Sequence, residues 1–223
     1  MNLIKSQDYF NPIDVKERIH IIGCGSVGSV IAENLARLGL TNITLYDFDK
    51  VESHNIANQM FFDEDIGCLK TEATAKLIEK INPSAKLDIK IESDGYKNQS
   101  LNGYVFLAVD NIDTRREIIE AQKYNQSIKA IFDFRTGFED AQHYAADWSN
   151  AKHRQALLKT MQFSHDEAKQ SMPTTACGTT LGLAPVVRAV VTAGITNFVN
   201  FVKQSQLKKV ILINPFAFEI DSI

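Results

Sequence analysis

The residues of this chain whose types and spacing could do chemistry fall in three short stretches. Gly23, Gly25 and Gly28 stand in I-H-I-I-G-C-G-S-V-G-S, Asp47 and Asp49 in L-Y-D-F-D-K-V, and Lys70 and Asp110 in I-G-C-L-K and A-V-D-N-I-D-T-R. In a G-x-G-x-x-G turn between a strand and a helix, the glycines allow a tight turn, close approach of backbone to phosphate, and tight helix–strand packing. The free N–H groups at the start of that helix then receive phosphates. Asp47, at the end of the next strand, can accept hydrogen bonds from both hydroxyls of a ribose, in NAD or in ATP. Asp49 is a second carboxylate there, and could equally serve a turn. Lys70 opens a helix and can reach phosphates as a mobile point charge. Outside such a setting it would read as a surface lysine. Asp110 follows an apolar strand and so lies at the carboxyl edge of a sheet, where ligands bind in such folds. It can hold the Mg²⁺ that neutralises phosphates, unless Asp110-Asn111 only caps the following helix, a duty that Asp113 also suits.

The elements that must position these groups follow from periodicity. Residues 18–22 read as a short buried strand, and Val27, Val30, Ile31, Leu35 and Leu38 share one face of the helix after it, with Gly39 as its stop. A second strand is expected over 42–47, a helix over 71–81 ended by Asn82-Pro83, an alternating strand over 86–91 and an apolar strand over 104–109. Asp113 is expected to cap a helix through 116–123. Strands over 128–134 and 142–148 come next, then a polar helix over 151–161 and a short one opened by Ser164 with Glu167 as a capping box. A long apolar helix over 181–202 and strands over 210–213 and 216–220 close the chain. The order predicts an α/β fold: a Rossmann-like, doubly wound, mainly parallel sheet with a C-terminal antiparallel extension, in a single domain over 1–223.

Composition narrows the function classes. The 223 residues carry a formal charge of −3, which gives no electrostatic case for nucleic acid or an anionic membrane surface. Three cysteines, Cys24, Cys68 and Cys177, lack paired spacing, against a disulfide framework or a cysteine-built zinc site. The first ten residues lack the apolar core of a signal peptide, so a cytoplasmic location is expected. The apolar run over 181–202 is long enough to span a bilayer but holds Arg188, Asn197 and Asn200, and reads as a buried helix.

The stretch L-Y-D-F-D-K-V-E-S-H-N-I-A-N-Q, then I-G-C-L-K, then A-V-D-N-I-D-T-R resembles the ThiF/MoeB/HesA family, which includes the adenylation domains of ubiquitin-activating enzymes. The family pattern reads D-x-D-x-V-x-x-S-N-x-x-R-Q, then G-x-x-K, then D-N-x-x-x-R, and the likeness runs from about residue 19 to 202. The resemblance implies ATP rather than NAD, with Asn55 and Gln59 in the nucleotide-binding loop and Arg115 as the arginine of the last motif. Arg115 could equally be a helix-surface residue in a salt bridge. The implied reaction is attack of a carboxylate on the α-phosphate of ATP, giving an acyl-adenylate and pyrophosphate. The implied substrate is the C-terminus of a ubiquitin-fold or sulfur-carrier protein, and a homodimer is the expected assembly. Cys177, in P-T-T-A-C-G-T-T, lies where family members sometimes carry an acyl-accepting cysteine, although a buried structural thiol is the commoner fate.

Two departures stand out. Asn58 occupies the position of the family arginine that contacts the terminal phosphate, and His54 that of the motif's serine. Arg18 lies in the first strand and gives no clear match to a further N-terminal arginine of the family. Arg135, in F-D-F-R-T-G, could supply the missing charge or be structural. The rival classes are therefore a plain NAD dehydrogenase, adenylation of another carboxylate (a peptide or a modified tRNA), and a non-catalytic scaffold subunit that binds nucleotide or partner.

Overall fold

A computed structural model describes residues 1–170 and 182–223. Eight strands form one sheet in the order β3-β2-β1-β4-β5-β6-β7-β8. The first five are β1 (Ile19–Ile22), β2 (Ile43–Tyr46), β3 (Lys90–Glu92), β4 (Gly103–Leu107) and β5 (Ile128–Thr136). They pair in parallel, with Ile22 level with both Tyr46 and Leu107. β6 (Ala141–Asp147), β7 (Val210–Asn214) and β8 (Glu219–Ser222) continue the sheet antiparallel. The parallel core with an antiparallel extension is the architecture the element order implied.

Two layers of helices cover the sheet. On one face α1 (Ser26–Arg37), α2 (Lys70–Ile81) and the long α6 (Ala184–Gln204) bury Val30, Ile31, Leu35, Ile78, Val187, Val190 and Phe198 against Ile21, Leu45, Phe106 and Phe132. On the other, α3 (Ile112–Ala121) and α4 (Ala151–Lys159) bury Ile118, Ile119 and Leu157 against Ile22, Leu107 and Ile131. A short α5 (His165–Gln170) follows, opened by the expected capping box: Ser164 N–H reaches the Glu167 carboxylate at 2.7 Å, and Glu167 N–H the Ser164 hydroxyl at 3.2 Å. α6 is long and apolar enough to cross a membrane, yet half of that stretch is buried against the sheet and α1.

Local chemistry explains where these elements stop. Gly39 has φ +86°, and Leu40 N–H bonds Leu35 O while Gly39 N–H bonds Ala36 O, which is the double closure of a left-handed glycine cap on α1. Three expectations are corrected. Residues 83–87 form a 3-10 turn begun by Pro83, with Leu87 fully out in solvent, so the strand expected over 86–91 starts only at Lys90. The cap of α3 is Asn111, whose Oδ1 accepts from the N–H groups of Asp113 and Thr114 at 2.8 and 3.1 Å, and not Asp113. The closing strand begins at Glu219 rather than 216, because Asn214 Oδ1 accepts from Phe216 and Ala217 N–H and holds those residues in the turn.

One buried polar contact ties α6 to the sheet. His143 of β6 is fully buried between the Asp133 carbonyl (3.1 Å from Nδ1) and the Asn197 amide (3.1 Å from Nε2) of α6. The Asn197 amide nitrogen can only donate, so Nε2 accepts and Nδ1–H donates. Burial pushes this imidazole down to about 4, against a weaker upward pull from Asp133. An ordinary histidine titrates near 6.5, so the unfolded chain binds the proton first. The neutral ring therefore contributes its full stabilisation above that pH, and the contribution is lost as pH falls toward 4. In urea titrations between pH 7 and pH 5 the wild type should lose about 2 kcal/mol more stability than His143→Gln. Equal losses in the two proteins would show that this ring does not set the slope.

Candidate functional site

The three stretches of chemistry-bearing residues meet at the carboxyl edge of β1, β2 and β4. Gly23 leaves β1 at φ +96°, and a Cβ there would lie 2.8 Å from the backbone of Ala108 and Val109 at the end of β4. A Cβ on Gly28 would lie 1.8 Å from the Gly23 carbonyl oxygen, so α1 packs on its own turn as only glycine permits. Gly25 is different. It caps α1 without a side-chain hydrogen bond, and among the described residues nothing lies within 4 Å of where its Cβ would be. The first-turn N–H groups of α1 have no intrahelical partner, and the space at Gly25 leaves room beside them for an anion.

Asp47 is anchored from both sides of this turn. Its Oδ2 accepts from Cys24 N–H at 2.6 Å and its Oδ1 from Asp49 N–H at 2.9 Å. Burial pushes its carboxyl up, while the two N–H groups and the Lys70 charge pull it back. A carboxylate held this way keeps lone pairs on both oxygens for ribose hydroxyls. The thiol of Cys24 is buried and pushed above its usual range, which fits a packing residue.

Lys70 reaches the site through a small zip of backbone. Val51 N–H donates to the Cys68 carbonyl and the Val51 carbonyl accepts from Gly67 N–H, each at 2.9 Å, and Lys70 N–H bonds the Asp49 carbonyl at 2.9 Å. Lys70 Nζ then bonds Asp49 Oδ2 at 2.8 Å, the lysine nearly buried and the aspartate half exposed. Asp49 is accordingly more than a turn residue: it holds the lysine. Asn55 is buried, and its Oδ1 accepts from Glu52 N–H at 2.9 Å, which shapes the 3-10 turn over Ser53–Ala57. Gln59 follows that turn, and its Oε1 is buried with no partner among the described residues.

Asp110 lies just past β4, next to the residues that touch Gly23. Asn111 takes over the helix cap, which leaves the Asp110 side chain exposed and without a hydrogen bond or ion pair among the described residues. No cluster of three or more histidine, cysteine or acidic residues among the described residues forms a ready metal cage there. A single free carboxylate beside a phosphate-receiving turn suits Mg²⁺, which keeps waters and takes substrate phosphates for its remaining ligands.

The remaining expected residues fall elsewhere. Arg115 is neither on the helix surface nor turned to the glycine loop. It is buried, bonded to Asp133 and to the carbonyls of Leu107 and Val109. Arg135 is likewise occupied, by Asp133 and Thr160, and Arg18 by Ile43, Thr44 and Asp88. Asn58 Nδ2 lies 3.3 Å from the Gly182 carbonyl, so no guanidinium stands at that position. The half-exposed Arg188 sits over the same loop, 3.2 Å from Met60 Sδ, although in the sequence it reads only as a polar interruption of α6. Cys177 lies outside the described residues. Asp133 is the residue that motif spacing does not single out; an acid flanked by phenylalanines in an apolar strand is its only signal.

The fold and this site define a doubly wound α/β domain with an anion-receiving turn, an anchored acid and a lysine–aspartate pair at the carboxyl edge of its sheet. The chain belongs to the ThiF family, whose model matches residues 15–218. Over 105 residues it is 35% identical to ubiquitin-like modifier-activating enzyme 5 of Drosophila willistoni, a match covering 47% of this chain and 24% of that protein. Over 114 residues it is 38% identical to tRNA threonylcarbamoyladenosine dehydratase of Haemophilus influenzae, covering 48% and 44%. The match thus spans about a quarter of the first of these relatives and under half of the second. In structure the chain is similar to E. coli MccB solved with ATP, with TM-score 0.66 and 17% identity over 95% of this chain and 65% of that one. PaaA has the same fold, at TM-score 0.70 and 15% identity over the same shares.

Gly28 and Gly25 separate packing from ligand contact. Gly28→Ala forces a Cβ into backbone and should lower the melting midpoint by about 6 °C or more. Gly25→Ala meets only open space, so its midpoint should stay within about 1 °C of wild type while its affinity for ATP falls at least tenfold, as read by calorimetry. Unchanged ATP affinity in Gly25→Ala would show that this turn does not receive the phosphates.

Proposed function

We propose that this protein catalyses ATP-dependent adenylation of a carboxylate, with the C-terminus of a ubiquitin-fold or sulfur-carrier protein as the substrate. The observation that carries the reading is the exposed Asp110 carboxylate, without a partner among the described residues, beside the glycine turn. Family membership, the ubiquitin-like modifier-activating relatives and the likeness to MccB support it. The turn at Gly23, Gly25 and Gly28 receives phosphates and Asp47 takes the ribose hydroxyls. Gln59, with a buried acceptor to offer, lines the nucleotide. Asp110 would hold Mg²⁺, which supplies charge neutralisation on the phosphates when bound. A carboxylate oxygen of the substrate attacks the α-phosphorus, the bond to the bridging oxygen breaks, and pyrophosphate leaves with the electron pair. Lys70 exchanges its contact with Asp49 for the phosphates, leaving the half-exposed Asp49 carboxylate to water. The chain's part is positioning and fixed charge, with no covalent step on its own residues in adenylation. Arg115, buried away from the turn, acts on the backbone instead of the nucleotide. Cys177 is the candidate acceptor for a later acyl or sulfur step. A homodimer acting in the cytoplasm completes the proposal.

A second reading keeps the chemistry and changes the substrate. MccB has been solved with MccA, and another relative is named for a modified tRNA nucleoside, so a peptide or tRNA-borne carboxylate is the alternative. Asn58, where the family carries an arginine, supports a third, in which the chain is a scaffold and needs a partner subunit for activity.

Calorimetry and ATP–pyrophosphate exchange test the proposal together. Mg-ATP should bind and NAD should not, and Asp110→Ala should cut carboxylate-dependent exchange at least about 100-fold at an unchanged melting midpoint. Exchange undiminished in Asp110→Ala, or binding of NAD in place of ATP, would sink the assignment. Exchange with a peptide or tRNA carboxylate but not with a ubiquitin-fold C-terminus would select the second reading.

A further inference from the structure

Asp133 is completely buried in β5, level with Leu107 of β4 and Tyr144 of β6. Its two oxygens take one guanidinium each: Oδ1 accepts from Arg115 Nη1, and Oδ2 from Arg135 Nε at 2.7 Å. Neither arginine stops there. Arg115 Nη1 also donates to the Leu107 carbonyl at 3.2 Å, and its Nη2 to the Val109 carbonyl. Val109 is the residue before Asp110, and the β4 ladder ends at Leu107, so Arg115 grips by its carbonyls the chain that leaves the strand toward Asp110. Arg135 directs its other two nitrogens to the carbonyl and hydroxyl of Thr160, at 2.8 Å each, where α4 ends. Its guanidinium also lies 4.4 Å from the Tyr144 ring.

A buried carboxylate between two guanidiniums is costly to desolvate, and such clusters are tolerated when hydrogen bonds offset that cost. Here both Asp133 oxygens, both terminal nitrogens of Arg115 and all three nitrogens of Arg135 are bonded. The fork of Arg115 spans a carboxylate and two carbonyls at once, which a lysine ammonium on a flexible stem does not reproduce. Remove either member and the chain between Leu107 and Asn111 loses its inner support, while the glycine turn and the Asp47 anchor keep theirs. Burial pulls the Arg115 pKa down and Asp133 pulls it back up, with Asp110 adding to that upward pull from the site side.

We propose that Asp133, acting through Arg115, is the positioning residue that fixes where Asp110 presents its carboxylate. This rests on the reading of Asp110 as the group that holds Mg²⁺. It gives F-D-F-R a role in a site that its own side chains never touch.

Arg115→Lys keeps the charge beside Asp133 and removes the second arm, so it is the primary test. Asp133→Asn is the second variant, used if it folds. Amide hydrogen exchange should quicken about tenfold at Asp113 and Thr114, which Asn111 caps beside Asp110, and stay unchanged in β1. The Mg²⁺ concentration for half-maximal ATP–pyrophosphate exchange should rise about tenfold, with KM for ATP at saturating Mg²⁺ within a factor of two. In an Asp110→Ala background, Arg115→Lys should add no further loss of exchange. Unchanged amide exchange and an unchanged Mg²⁺ midpoint in folded Arg115→Lys would overturn the proposal. So would an equal slowing at all Mg²⁺ concentrations, which a general structural role predicts. If the wild type supports no pyrophosphate exchange, the adenylation reading falls, and the amide exchange alone decides whether Arg115 holds the segment.

Discussion

The contact on which this site depends is between backbones. The Gly23 carbonyl occupies the space a Cβ on Gly28 would need, and Ala108 and Val109 occupy the space of a Cβ on Gly23. The β1 turn and the start of α1, contiguous in the chain, are thereby brought within van der Waals reach of each other and of the distant end of β4. Any side chain at Gly23 or Gly28 would push them apart. The open N-terminus of α1 and the free carboxylate of Asp110 are neighbours because of that approach.

Around this contact the polar groups divide by burial. Those that hold the frame are bonded and buried, or nearly so in Arg135: Arg115, Asp133 and Arg135 at β4 and β5, His143 and Asn197 between β6 and α6, and His20 between Tyr46 and Asn102. Those open to a ligand are exposed, as with Asp110, or paired to an exposed partner, as Lys70 is to Asp49. The division has a physical basis. A buried charge without partners is far too costly to keep, whereas an exposed one stays free to exchange water for phosphate or metal.

The lysine–aspartate pair shows how the loop between β2 and α2 prepares the site. Backbone bonds between residues 49–51 and 67–70 form a short antiparallel clip, which places the start of α2 next to the acid-rich end of β2. The same segment leads through the turn held by Asn55 to Asn58 and Met60, over which Arg188 of α6 lies. The family's arginine is missing here, and a half-exposed guanidinium comes to this loop instead from a helix more than a hundred residues on.

Much of this was legible in the sequence because it is local. The strand–turn–helix around Gly23 to Gly28, the glycine stop at Gly39 and the Ser164–Glu167 box are set by steric freedom and by hydrogen bonds between near neighbours. Short apolar runs marked the central sheet strands and alternation the strand over 142–148, while Pro83 and Asn214 built turns that periodicity does not register. The motif residues Asp47, Lys70 and Asp110 could be placed at a sheet edge from the order of elements. Their partners could not. That Asn111 and not Asp113 caps α3 is a local choice among neighbouring acceptors, whereas that Asp49 holds Lys70 and that Arg115 turns inward to Asp133 are outcomes of packing between distant segments. The sequence by itself determined the fold class, the family and the residues that meet at the edge of the sheet. Only the tertiary structure decided which charges are committed to the frame and which remain for a ligand, because the cost of burying a charge depends on what the rest of the chain brings beside it.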